Sequence, residues 1–191
     1  MNKLKKFFHF LWYDDSPLSW VLNVVIALIL VKFIIYPGLG LILGTTHPLV
    51  AVVSGSMEHN NIGFDVWWEQ NKNWYLENGI TREEFQQFNF KNGFNKGDIM
   101  VLIAPKNLEI GDILVYRKAN SNDPPIIHRI VKTNGNSLQT KGDNVDRIQG
   151  FETAIPEEAF IGKAAIRIPY LGYIKIWFVD IIAQPLMGRI R

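Results

Sequence analysis

The chain has 191 residues, 48% of them apolar, with 20 Lys and Arg against 18 Asp and Glu for a formal net charge of +2. That length holds one moderate domain, and the apolar share is high for a chain lying wholly in water. Near-balanced charge without a long basic run argues against nucleic acid as a partner, and the absence of cysteine excludes disulfides, thiolate metal sites and a thiol nucleophile.

Met1 to Asp15 mixes Lys3, Lys5 and Lys6 with Phe7, Phe8, Phe10, Leu11, Trp12 and Tyr13. Lysine and aromatic side chains together favour a headgroup layer, so residues 1–17 read as an interfacial segment in contact with membrane lipid. From Leu18 to Tyr36 only Lys32 is charged. As a helix this stretch would be roughly 28 Å long, enough for one pass through a bilayer core. Lys32 lies near its C-terminal end, where the ammonium can reach the interface. Asp14, Asp15 and Pro17 separate the lysines from the apolar run, which is unlike a cleaved signal peptide; the run is also too long and apolar for a buried soluble helix. The preceding lysines predict a single-pass protein of the cell membrane with a cytoplasmic N-terminus and everything after Tyr36 outside the cytoplasm.

Pro37 to Val53 stays apolar, but Pro37, Gly38, Gly40, Gly44 and Pro48 argue against one continuous helix. It reads as a membrane-surface connection into a strand at 49–53, which delivers Ser54, Gly55 and Ser56. Residues 60–95 are polar and aromatic and read as a helical insertion; Thr81 followed by Glu84 forms a capping-box pattern that opens a short helix through Phe88. From Lys96 the chain becomes a series of short β-type runs at 99–104, 113–118, 125–133, 137–140 and 160–169. Turn signals separate them at Gly97-Asp98, Gly111-Asp112, Asn134-Gly135 and Gly142-Asp143. The expected fold is therefore mainly β, with residues 37–172 forming an extracytoplasmic domain. In 173–191 apolar residues recur at helical spacing, yet Lys175, Asp180 and Pro185 interrupt them, which suits a helix in the interface better than a second span.

A serine hydroxyl attacks only when a neighbouring base takes its proton and a third group orients that base. Ser56 follows Gly55, whose missing side chain permits a sharp turn and close approach of a substrate backbone. Ser-Gly-Ser by itself is more often a plain loop. His128 lies in a strand-like run, where a histidine among apolar neighbours is more often structural than catalytic. His9 precedes the span, His47 lies in the apolar connection, and His59, three residues beyond Ser56, is a rival base. Asp143 and Asp146 lie in a turn, where aspartate commonly bonds its own backbone.

In order, VVSGSMEH, NKGDIMVL, EIGDILVYR, IIHRIVKT, TKGDNVD and IGKAAIRIPYLG follow a single apolar span. Together these boxes resemble the type I signal peptidases and cover most of Leu49 to Gly172. Because the fourth reads His128-Arg129 where bacterial members carry a lysine base, the chain is similar to the archaeal and endoplasmic-reticulum branch. The resemblance implies a signal-peptidase-like β domain in a membrane-bound serine endopeptidase that removes signal peptides from exported precursor proteins, alone or with accessory membrane subunits. It implies Ser56 as nucleophile and His128 as general base, with Asp143 or Asp146 orienting the imidazole. The oxyanion hole would come from the Ser56 N–H and the Ser54 hydroxyl. No metal or organic cofactor is implied.

The chain departs from the family in three places. His59 replaces the usual proline after the serine box, residues 60–95 replace a short link, and Gln149 stands where a second aspartate is usual, six residues after Asp143. Two other readings remain: a Ser/Lys peptidase with Lys132 or Lys141 as a desolvated base, and a non-catalytic membrane-anchored binding or accessory subunit of the same fold.

Overall fold

A computed structural model describes residues 2–118, 121, 123–135 and 137–173. The C-terminal helix expected at 173–191 falls outside them apart from Tyr173. The described chain forms two compact units that divide after Ile42.

The first unit is helical. α1 (Lys3–Tyr13) exposes Phe7, Phe8, Trp12 and Tyr13. α2 (Pro17–Leu30) starts with Ser16 accepting from the Ser19 N–H and with Pro17 in the first turn, where its missing N–H costs nothing. The two helices are tied by Ser19 Oγ donating to Phe10 O at 3.0 Å and Asn23 Nδ2 donating to Leu11 O at 2.9 Å.

The apolar helix does not stop at Tyr36. It passes through a π-helical turn (Val31–Ile35) into α3 (Tyr36–Leu43), giving a 27-residue helix from Pro17 that is long and apolar enough to cross a membrane and is almost wholly unburied. Pro37 was expected to break it, because proline has no N–H to give and its ring presses on the carbonyl four residues back. The π turn absorbs that defect: the Tyr36 N–H bonds Val31 O, five residues back, which widens the helix just ahead of the proline.

The second unit is a seven-stranded sheet in which every pairing is antiparallel, in the order β1-β2-β7-β3-β4-β5-β6. The strands are β1 (Leu49–Ala51), β2 (Ile99–Ile103), β3 (Ile113–Tyr116), β4 (Ile126–Asn134), β5 (Ser137–Lys141), β6 (Ile155–Pro156) and β7 (Phe160–Ile168). The mainly β fold and its helical insertion are therefore present. β6 has only two residues and no pattern that would announce it.

Successive side chains of a strand point to opposite faces, and β4 is buried on both. Ile127 joins Val52, Met57, Phe94, Met100, Leu102, Ile113 and Val115 in one core cluster. Ile130 lies on the other face with Leu114, Tyr116, Leu138 and Ile155. A third cluster comes from the insertion, α4 (Phe64–Glu77) and α5 (Arg82–Gln87), which packs Trp67, Trp68, Tyr75 and Phe85 with Val131. α5 starts at the capping box read in the sequence: Glu84 N–H bonds Thr81 Oγ1, and the Glu84 carboxylate accepts the Thr81 N–H.

Candidate active site

Ser56 sits in the turn after β1, clasped by the turn after β5. Asn144 N–H donates to Ser56 O at 2.7 Å, and Asn144 Nδ2 donates to Gly55 O at 3.0 Å. Met57, fully buried, pins the next residue into the core, and the Asp143 N–H points at its sulfur. Gly142 makes this clasp possible. A Cβ there would lie 2.8 Å from Ser56 O and 2.9 Å from His128 Nε2, closer than carbon can approach either atom.

β4 brings His128 across from Leu114 of β3 and aims its ring at the turn. Nε2 lies 2.9 Å from Ser56 Oγ, and Nδ1 bonds Glu152 Oε1. A carboxylate only accepts, so the neutral ring carries its proton on Nδ1 and presents the Nε2 lone pair to the serine hydroxyl. That is the tautomer a general base requires. Ser54 Oγ lies 3.2 Å from Ser56 Oγ. The structure thus brings the side chains of Ser54, Ser56 and His128 together.

The two aspartates expected to orient His128 are placed elsewhere. Asp146 is exposed. Asp143 is fully buried, but its oxygens are filled by other donors: Arg129 Nε at 2.9 Å and Tyr75 OH at 3.2 Å on Oδ1, Arg129 Nη2 at 2.7 Å and His59 Nε2 at 3.0 Å on Oδ2. Arg129 follows His128 in β4 and so points to the opposite face, drawing Asp143 away from the imidazole. The rest of its guanidinium bonds the carbonyls of Asn89, Gly111 and Phe90. Burial alone would raise the Asp143 pKa; the Arg129 charge and the hydrogen bonds from His59 and Arg129 more than offset it and hold the carboxyl well below the usual range.

Glu152, which takes the Nδ1 proton, was not expected from the sequence. It closes a short 3-10 turn (Gly150–Glu152) and is fully buried. Its Oε2 accepts the Gln149 N–H at 2.7 Å. The available signal was an acidic residue nine positions after Asp143: the loop is three residues longer than the six-residue spacing sought, and the side chain is one methylene longer than aspartate.

The rival bases are engaged otherwise. His59 is buried, stacked on Trp67 with ring centres 3.8 Å apart, and donates from Nε2 to Asp143. Lys132 is exposed. Lys141 is buried, donates to Gly142 O at 3.1 Å and lies 5.0 Å from the rings of both Trp74 and Tyr75. Burial pushes its ammonium down to about 8, against the pull of Asp143, Glu152 and Asp146. Among the described residues no group of His, Asp and Glu could hold a metal ion.

No protein-family model matches the chain. Curated relatives do. The chain is 30% identical over 170 residues to the signal peptidase complex catalytic subunit SEC11 of Plasmodium falciparum (isolate 3D7), covering 84% of this chain and 73% of that protein. The chain belongs to the type I signal peptidases. A second relative, the sec11 catalytic subunit of Schizosaccharomyces pombe, is 30% identical over 173 residues, covering 85% of this peptidase and 83% of the yeast protein. The SEC11 subunit of Lachancea thermotolerans is 28% identical over 181 residues, covering 85% and 84%. These relatives place this signal peptidase in the endoplasmic-reticulum-like branch, as a membrane-anchored hydrolase.

Proposed function

We propose that this signal peptidase removes signal peptides from exported precursors through a Ser56–His128–Glu152 triad. Ser56 Oγ attacks the scissile carbonyl carbon as its proton passes to His128 Nε2. Glu152 holds the imidazole in the Nδ1–H tautomer and stabilises the imidazolium. The oxyanion takes hydrogen bonds from the Ser56 N–H and the Ser54 hydroxyl; one such donor is worth roughly 3 kcal/mol in the transition state. His128 returns its proton to the leaving amine, and water then hydrolyses the acyl-enzyme with His128 again as base. The observation that carries this reading is the unbroken path from Ser56 Oγ through both ring nitrogens of His128 to the buried Glu152 carboxylate.

Asp143 keeps a structural part in this reading, as the buried partner of Arg129, and Asp146 none. The chain acts as a single-pass protein of the cell membrane, with the residues before Pro17 on the cytoplasmic headgroup layer, the helix Pro17–Leu43 as the span and the β domain that follows it outside. Its relatives are named as subunits of a signal peptidase complex, which supports accessory membrane subunits as partners beside precursor and lipid; nucleic acid has no part. The test is cleavage of a signal-bearing precursor in detergent by wild type, Ser56→Ala, His128→Ala and Glu152→Ala, with N-terminal sequencing of the product. The expected result is one product in the wild type, none above background for the first two variants and a loss of at least hundredfold for the third. Undiminished cleavage by Ser56→Ala or His128→Ala would remove that residue from the mechanism.

A further inference from the structure

A carboxylate that orients a histidine must itself be held, and Glu152 stands at the end of a three-residue turn with three side-chain torsions to fix. Its Oε2 is held by the Gln149 N–H. Oε1, the oxygen that meets His128, also has Thr140 Oγ1 at 3.4 Å, and Tyr116 OH lies 3.0 Å from that hydroxyl. The register explains the grouping. In β3, Leu114 pairs with His128; in β5, Thr140 pairs with Ile130; alternation therefore puts Tyr116, His128 and Thr140 on one face of the sheet. Tyr116, Thr140 and Glu152 are each 1% exposed or less, so water does not compete for these bonds.

The direction of the bonds follows from the donors available. Glu152 only accepts, so Thr140 donates to it; the threonine oxygen then accepts from the Tyr116 hydroxyl. Burial raises the Tyr116 pKa well above that of an ordinary phenol, so the donor proton stays in place. Donors arranged head to tail in a dry interior polarise one another.

We propose that Thr140 and Tyr116 are positioning residues for the proton transfer, a two-hydroxyl chain that locks the Glu152 carboxylate against His128. This rests on the reading of Ser56, His128 and Glu152 as the triad. Neither hydroxyl gives up its proton. The chain keeps Oε1 in line with Nδ1 as the imidazolium forms. A carboxylate stripped of hydrogen-bond donors pulls harder on a neighbouring cation, so in a variant without the chain the base is freed only at higher pH.

The test compares wild type, Thr140→Val, Thr140→Ser, Tyr116→Phe and the Thr140→Val/Tyr116→Phe double variant on one precursor, recording kcat, KM and the pH profile of kcat. Thr140→Val is expected to lower kcat about tenfold, the scale of one hydrogen bond to a charged group, with KM within about twofold. Its acid limb moves to higher pH by about half a unit. Thr140→Ser recovers both; Tyr116→Phe lowers kcat about threefold; the double variant matches Thr140→Val, because the phenol acts only through the threonine. Wild-type kcat and acid limb in Thr140→Val, a serine variant as slow as the valine one, or a double variant in which the two losses multiply would each overturn the proposal. If Thr140→Val does not fold, Tyr116→Phe decides through its acid limb, which moves up if the chain exists and stays if it does not. Glu152→Ala, assayed alongside, separates the two readings: wild-type turnover there defeats the triad itself, whereas a slow Glu152→Ala beside a normal Thr140→Val defeats the hydroxyl chain alone.

Discussion

Gly142 sets how closely Ser56 and His128 can meet. Replacing it by alanine puts a methyl within 3 Å of both Ser56 O and His128 Nε2, so either the turn or the imidazole must move. Since a displacement of about 1 Å in a catalytic group can cost on the order of a hundredfold, Gly142→Ala should lower kcat by at least that factor, read in the precursor assay, while near-UV circular dichroism stays native. Lys141, its neighbour, predicts an effect on stability instead. Its folded pKa of about 8 lies below the ordinary 10.5, so between those values the unfolded chain binds the proton that the folded chain has released. Stability on this account rises as pH goes from 8 to 10.5 and carries a constant penalty below 8. Lys141→Met should therefore raise the melting temperature at pH 7, with the gain shrinking by pH 10, as followed by thermal unfolding in detergent. At this scale the sequence was informative where chemistry and position coincide, at Ser56 and His128. It was silent on Glu152, because what brings that carboxylate to the His128 ring is burial and the aim of a short 3-10 turn. Asp143 shows the converse. Asp98 and Asp112 also follow glycines, and each accepts the N–H three residues back; Asp143 has the same local spelling but is claimed by a guanidinium from β4.

Among the elements, the insertion is more than a surface addition. Tyr75 donates to Asp143, Trp67 backs the histidine that also donates to it, and the Phe85 ring lies 4.7 Å from the Arg129 guanidinium. The chain returns from the insertion through Gly93, with φ at +66°, where a Cβ would lie 2.2 Å from Met57 O. α4 and α5 thus wall off the charged cluster on the far side of β4 from the imidazole. Asp143→Asn leaves Arg129 buried without its counter-charge and should destabilise the fold by about 3–5 kcal/mol, measured by chemical denaturation. Phe85→Ala opens a cavity in the same wall, at about 3–5 kcal/mol. Comparable losses in the two would mark cluster and insertion as one structural unit; a stable Asp143→Asn would refute that account. The α5 boundary was legible because a capping box is local chemistry. The run of α2 through Pro37 was not, since a π turn is decided by whether the rest of the helix tolerates widening, and residue types do not carry that.

For the whole molecule, the 27-residue apolar helix and the β domain are separate compact units joined in one chain. The helix should hold the protein in the membrane pellet after alkaline carbonate extraction. Val25→Lys with Leu28→Lys should release it, because each charge near the middle of a span costs about 2.5–3.5 kcal/mol on insertion. Carbonate-soluble wild type would contradict an integral anchor. The sheet order itself, with β7 inserted between β2 and β3, depends on pairings between distant segments, and alternation patterns show only that strands exist.

The separation of Ser56, His128 and Glu152 along the chain has a consequence in time. Ser56 and His128 are 72 residues apart, and Glu152 comes 24 residues after His128. A growing chain has extruded its own apolar helix long before residue 152 leaves the ribosome. During that interval it carries an apolar segment of its own, and the path from Ser56 through His128 to Glu152 is not yet complete. The order of synthesis thus protects the nascent anchor from cleavage by its own chain.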